Sequence, residues 1–229
     1  MGAAGVTVAA FDTATRATVV GVQAGAEARS SRFEAPPGGH PAHSAQLLGA
    51  LSDLLGDAGA GWGDVEVIGV GVGPGTFTGL RIASATAEGL RRATGARVVP
   101  VDTLEALALP ALAAAAGRPV CALNDARRGE VFAAGWRAPG EKLFGPVAVG
   151  PEELPGVLGR HEGKWLIAGD RPEGFGTAAS DVAGWLETQD PLNLLDGAAL
   201  CELARSGNGV DGPVLPEYVR APDAKRPGT

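Results

Sequence analysis

Three short segments carry side chains whose types and spacing could do chemistry. Asp12-Thr13 ends an apolar run and opens a turn. A carboxylate followed by hydroxyls at such a tip can hold a metal-bound water or a phosphate. Ordinary turn chemistry is the simpler account, because Asp and Thr bond their own backbone in turns. Gly73-Pro74-Gly75-Thr76-Phe77-Thr78-Gly79 lies between a predicted strand and a predicted helix. Glycines there let backbone N–H groups approach a phosphate, and a helix N-terminus favours an anion; a tight structural turn uses the same residues. The segment is neither a Walker A loop, since no Gly-Lys-Ser/Thr follows, nor GxGxxG. Asp125-Ala126-Arg127-Arg128-Gly129-Glu130 puts mixed charges at a second hairpin tip, ordinarily a solvated surface. In a nucleotide-binding reading, Asp12, Thr13, Gly73, Pro74, Gly75 and Asp125 are the phosphate and metal residues.

Other chemistries find little support. The three histidines are His40, His43 and His161. His40 and His43 stand at HxxH spacing, but a metal site needs a third ligand, and His43 reads better as a residue near a helix start. There is no HExxH and no GxSxG elbow, and neither Cys121 nor Cys201 sits in a Cys/His motif. Two distant cysteines fit a reducing, cytoplasmic setting. With 19 Lys and Arg against 26 Asp and Glu the net charge is −7, a poor balance for binding nucleic acid alone. The apolar N-terminal run has no basic segment before it and ends at Asp12, so it reads as a first strand rather than a signal peptide. The stretch from Leu104 to Ala116 is too short to span a bilayer.

The elements that must position these residues follow from periodicity. Val6 to Phe11 and Ala17 to Val22 are continuous apolar runs around a turn, a buried hairpin. Glu34 to Gly39 (EAPPGG) is a loop. Leu47, Leu48, Leu51, Leu54, Leu55 and Ala58 share one helical face. Val65 to Val72 is a buried strand. Thr76 to Thr94 is a second helix, with Thr76 or Thr78 as its cap. Arg97 to Val101 is a strand, and Asp102 or Thr103 starts a third helix. Leu143 to Val149 and Lys164 to Ala168 read as strands. Ser180 to Thr188 and Gly197 to Ser206 read as helices.

Residues 119 to 136 repeat the opening of the chain: Ala122-Leu123-Asn124-Asp125 answers Ala9-Ala10-Phe11-Asp12. Each is a buried strand that ends at an aspartate, turns and returns. The expectation is an α/β chain of two duplicated lobes, residues 1–103 and 104–219, with a Pro-rich, poorly ordered tail at 220–229.

Here the blocks become specific. Val8 to Val22 (VAAFDTATRATVVGV), Val70 to Glu88 (VGVGPGTFTGLRIASATAE), Asp102 to Leu107, Asp125 to Val131 and Pro216 to Pro222 (PEYVRAP) resemble, in order, the blocks of the TsaB (YeaZ) family. Thr76 stands where the family has serine, Ser84 near the usual Gly, and Glu88 where it has lysine. The resemblance implies an actin-like, hexokinase-like ATPase fold of two duplicated lobes, with mixed sheets flanked by helices. It also implies a non-catalytic scaffold that pairs with a TsaD-like catalytic subunit, and with a TsaE-like ATPase, for threonylcarbamoyl transfer to the tRNA adenosine 3′ of the anticodon. The TsaD family carries metal-binding histidines, as HxxxH, where this chain reads Val101-Asp102-Thr103-Leu104-Glu105-Ala106, without histidine. Pairing is implied through the first two helices, His43 to Ala58 and Thr76 to Thr94, with Leu47, Leu51, Phe77, Thr78, Arg81, Ile82, Ala83 and Thr86 at the interface. The same surface makes a homodimer in isolation.

No cofactor is expected on the chain alone; ATP and Mg belong to the complex, tRNA is met only through it, and no membrane is involved. The competing reading is a nucleotide-binding small-molecule kinase or weak ATPase of the same fold. A peptidase lacks a nucleophile or metal site, and a dehydrogenase lacks GxGxxG.

Overall fold

The computed structural model describes residues 5–36, 39–170, 172, 174–175, 183–185 and 191–220. Two five-stranded sheets carry the fold. The first has the order β3-β2-β1-β4-β5, formed by β1 (Val8–Asp12), β2 (Ala17–Ala24), β3 (Glu27–Glu34), β4 (Val67–Gly73) and β5 (Arg97–Asp102). The second has the order β10-β9-β6-β7-β8, formed by β6 (Val120–Arg127), β7 (Glu130–Ala138), β8 (Glu141–Val149), β9 (Trp165–Gly169) and β10 (Ala183–Trp185). Read from its other edge, the second sheet repeats the first strand for strand. An antiparallel three-strand meander is followed by two strands added in parallel. The hairpin similarity in the sequence is therefore a true duplication: β6 is the counterpart of β1, and Asp125 of Asp12.

Apolar runs make the inner strands, because a strand buried on both faces reads as continuously hydrophobic. Every residue of β1 is buried. The edge strand β3 (EARSSRFE) escaped the sequence reading, since it has no apolar alternation. It pairs along its whole length with β2, from Ala17↔Glu34 to Ala24↔Glu27. Its charges discourage another chain from adding to that edge.

The helices form layers outside and between the sheets. Helix α1 (His43–Asp57) and α2 (Phe77–Thr94) cover the outer face of the first sheet. Leu47, Leu51, Leu54 and Leu55 of α1 point into that face, each contributing roughly 1.5–3 kcal/mol by leaving water. Thr76 caps α2 by accepting the Gly79 N–H at 3.3 Å, and Gly95, at φ 74°, ends it. Helix α3 (Thr103–Ala114) is capped by Asp102, whose Oδ1 accepts from the Leu104 and Glu105 N–H groups. It lies between the sheets with α5 (Gly197–Ser206), in an apolar core shared by both lobes. The short α4 (Leu154–Leu158) covers the far face of the second sheet.

One helix assignment and one lobe assignment differ from what the structure shows. Ala183–Trp185, placed within a helix at 180–188, is a strand parallel to β9; the other residues of that span lie outside the described residues. The open edge of β9 supplies backbone partners that an apolar pattern at helical spacing does not reveal. The segment 197–219, grouped by sequence with the second lobe, packs largely on the first: α5 crosses β1, β2 and β4, and Val210 bridges Val98. The expected tail begins at Arg220, which is described; residues 221–229 lie outside the described residues.

Candidate functional site

Between the lobes opens a cleft of about 370 Å³, lined by the β2–β3 side of the first sheet, the start of α3 and the ends of β6 and β9. Two hairpin turns meet beside it. The first, after β1, turns inward: Asp12 and Thr13 are fully buried. Asp12 Oδ1 accepts the Ala14 N–H at 2.7 Å, and Oδ2 accepts the Thr103 hydroxyl at 2.6 Å. The Thr103 hydroxyl in turn accepts the Gly73 N–H at 3.1 Å. Burial pushes the Asp12 carboxyl above the usual range; the Thr103 and Ala14 hydrogen bonds oppose that push without cancelling it.

The glycine-rich loop is folded onto this turn. The Thr76 N–H donates to Ala14 O at 2.7 Å, and the Thr13 hydroxyl donates to Gly79 O at 2.8 Å. A Cβ at Gly75 would stand 2.3 Å from Ala14 O, and one at Gly79 would stand 1.8 Å from Thr13 O. These glycines admit the chain's own β1–β2 turn. At the start of α2 the Thr76 N–H is thereby taken by Ala14 O and the Gly79 N–H by the Thr76 cap.

Asp125, the counterpart of Asp12, faces outward. Its carboxylate accepts the Arg127 N–H at 2.7 Å and pairs with the Arg127 guanidinium at 3.0 Å. Its own N–H donates to Asp170 Oδ2 at 2.8 Å. The Asp170 carboxyl is raised by the protein crowded around it and then by the Asp125 charge, against the lowering hydrogen bond from the Asp125 N–H. Next to Asp125, the buried Asn124 side chain donates to Pro74 O at 2.9 Å, tying the two hairpins together.

Of the six residues expected to hold a nucleotide, Asp12, Thr13, Gly73, Pro74 and Gly75 thus form one packed knot, and only Asp125 lines the cleft among the described residues. Thr103, Asp170, Arg32 and Asn193, which do reach the cleft or its floor, escaped the sequence reading. Asp170 alone left a signal, as the aspartate ending an apolar strand. His43 begins α1 and is buried, its Nδ1 2.9 Å from the Thr18 hydroxyl, and its pKa is lowered by burial against a backbone bond to Thr15. No group of three or more His, Cys, Asp or Glu is arranged for a metal among the described residues.

The expected partner face also divides. Leu47, Leu51 and Ala83 are buried against the first sheet, where they position the helices. Ile82 and Thr86 are half-buried, whereas Phe77, Thr78 and Arg81 are exposed. Phe77 is 44% exposed, with the Arg81 guanidinium stacked 3.8 Å over its ring. On α1 the large exposed apolar residue is Leu48, which is absent from the interface set that the resemblance implies. Glu88, where the family pattern carries lysine, pairs with Arg91 and with Arg92, the latter at 2.8 Å.

Comparison with known proteins adds the family. The model for "TsaD: tRNA N6-adenosine threonylcarbamoyltransferase" matches residues 27–161, more than half of the chain. Two curated relatives are named tRNA threonylcarbamoyladenosine biosynthesis protein TsaB. That of Haemophilus influenzae is 33% identical over 39% of this chain and 38% of its own length. That of Escherichia coli is 29% identical over 70% of this chain and 69% of its own length. A solved structure from Pseudomonas aeruginosa, described as an uncharacterized protein with similarity to peptidase YEAZ, superposes with a TM-score of 0.72 at 29% identity, covering 94% of this chain and all of the other. The chain belongs to the TsaB/YeaZ family. A hexokinase of the ROK type from Thermus thermophilus, 17% identical with a TM-score of 0.51 over 86% of this chain and 98% of the other, shares the fold. The TsaB/YeaZ chain is thus an actin-like, hexokinase-like fold of two duplicated lobes. The first matched relative aligns over less than half its length, and the segment it shares with this chain is correspondingly short. No helix among the described residues is long and apolar enough to cross a membrane.

Proposed function

We propose that this TsaB/YeaZ chain serves tRNA threonylcarbamoyladenosine formation as a non-catalytic scaffold. It pairs through the outer face of α1 and α2 with a TsaD-type catalytic subunit, and the pair receives a TsaE-type ATPase. One observation carries the reading: the chain's own β1–β2 turn is packed onto the glycine-rich loop and takes the Thr76 N–H, while Asp12 is bonded to Thr103 and Ala14 out of contact with solvent. The exposed Phe77, Thr78 and Arg81, with Leu48, remain for contact with another chain. An isolated chain self-associates through the same face, so homodimer and heterodimer compete. ATP and Mg enter at the level of the complex, tRNA reaches the chain only through it, and the setting is cytoplasmic.

The test is threonylcarbamoyl transfer to tRNA by the chain alone, by its TsaD-type partner alone, and by both with a TsaE-type protein and the adenylate-forming enzyme. Transfer that requires both chains, with none from this chain alone, is the expected result. Transfer undiminished without the chain would sink the scaffold role.

The inter-lobe cleft, with Asp125 and Asp170 at one wall, favours a second reading: a small-molecule kinase or weak ATPase. Titration of the chain alone with Mg·ATP separates the two. Micromolar, magnesium-dependent binding belongs to the second reading, and no heat of binding belongs to the first.

A further inference from the structure

We propose that the segment after α5, residues 207–220, is a clasp that pins the cleft-wall hairpin of the second lobe to the first lobe and so sets the spacing between them. The segment is anchored on the first lobe at successive points. The Val210 N–H donates to Val98 O at 2.9 Å, extending the free edge of β5. The Arg91 guanidinium holds Gly212 O at 3.0 Å. Val214 is buried in the outer core, and the Glu217 N–H donates to Val72 O at 2.8 Å. The Tyr218 ring lies 5.6 Å from that of Phe77 at the start of α2.

One residue later Val219 packs into the core shared by both lobes, and Arg220 reaches the second lobe. Its Nη1 donates to Ala126 O at 3.2 Å, its guanidinium pairs with Glu130, and it stands 6.0 Å over the Phe132 ring. All three partners belong to the β6–β7 hairpin. That hairpin is also the wall of the cleft, through Asn124 and Asp125.

The geometry of the turn requires holding. Arg127 and Arg128, neither of them glycine, sit at φ 65° and 60°, a left-handed region that costs energy for side chains with a Cβ. Asp125 restrains the turn from the cleft side and Arg220 from the other. A charge-assisted bond to a guanidinium adds direction as well as attraction, and here it joins lobes that also meet through the apolar core around α3 and α5, the Asn124–Pro74 bond and the Lys142–Asp102 ion pair at 2.6 Å. The clasp stands independently of the proposed role in tRNA modification.

The experiment uses the full chain with spin labels at Asp53→Cys on α1 and Lys164→Cys before β9. Both positions are exposed, while the native cysteines are buried and stay unlabelled. Arg220→Ala should broaden and lengthen the inter-lobe distance distribution. It should also speed backbone hydrogen exchange in residues 123–133 by roughly tenfold while leaving β4 and β5 unchanged. Glu130→Gln, which removes the pairing from the hairpin side alone, should reproduce both effects if Arg220→Ala fails to fold. Distances and exchange equal to those of the parent overturn the clasp. Exchange that rises equally across both lobes also overturns it, because Arg220 would then stabilise the whole fold rather than the junction.

Discussion

Thr103→Val tests whether the knot around Asp12 is structural. Valine keeps the shape of threonine and removes only the hydroxyl, which makes two buried bonds: one donated to Asp12 Oδ2 at 2.6 Å and one accepted from the Gly73 N–H at 3.1 Å. Losing a bond to a carboxylate costs about 1.5–3 kcal/mol, and an orphaned buried N–H costs about 1–3 kcal/mol. The sum is roughly 2.5–6 kcal/mol, since neither group can reach water. In a chain of this size that corresponds to a fall in Tm of about 10 °C.

The pH dependence has a definite sign. Burial holds the Asp12 pKa above its unfolded value, and the Thr103 bond is the strongest influence opposing that. Without the hydroxyl the folded pKa rises further. A raised carboxyl pKa means that the folded chain binds the proton more tightly than the unfolded one. Stability from that proton is present at acidic pH and lost as pH rises through the folded pKa. The loss caused by Thr103→Val is therefore larger at pH 8 than at pH 4.5. Urea unfolding followed by circular dichroism at both pH values measures it. A loss below about 1 kcal/mol at pH 8, or one that grows on acidification, refutes the reasoning.

Further outcomes follow from the same geometry. Gly79→Ala sets a Cβ on Thr13 O and should cost about 3 kcal/mol or more by forcing the turn off α2; an unchanged urea midpoint would contradict the packing. Phe77→Asp should abolish pairing in analytical ultracentrifugation with only a small fall in Tm, because the ring is half exposed and gives up only its contacts with Tyr218 and Arg81. Ala83→Arg should unfold the chain, because Ala83 has no access to solvent; pairing lost by Ala83→Arg in a normally stable chain would show that the helix faces are assigned the wrong way round. Burial pushes the Cys121 thiol far up and that of Cys201 up to about 12. Neither should react with Ellman's reagent at pH 8 until denaturant is added, since the thiolate is the reactive form.

Much of this could be read along the chain. The buried runs of β1, β2, β4 and β6 are continuous in apolar residues, and a strand covered on both faces requires that. The caps Thr76 and Asp102 stand immediately before helices with the periodicity they begin. The match between Ala9–Asp12 and Ala122–Asp125 exposed the duplication because equivalent strands face equivalent layers. Polar β3 and three-residue β10 were illegible for the converse reason: an edge strand is defined by the backbone of its neighbour, and its side chains carry little of that instruction.

The fate of the candidate site was decided in three dimensions. Asp12 and Asp125 end equivalent strands in similar sequence, yet one is sealed beneath a threonine 91 positions later and the other opens on the cleft. The glycines of Gly73 to Gly79 declare that something comes close to that backbone, and the spacing alone allows a phosphate or a peptide. The fold packs the turn of Thr13 and Ala14 against those glycines. In the same way, the family resemblance groups Leu51 and Ala83 with Phe77 at one interface on two helices, while contact with the first sheet buries the former pair and leaves the latter half exposed. Local sequence determines which residues form an element, because propensity, capping and periodicity act within a few residues. Which face is covered, and which carboxylate meets solvent, depends on groups far apart in the chain that only the packed structure brings together.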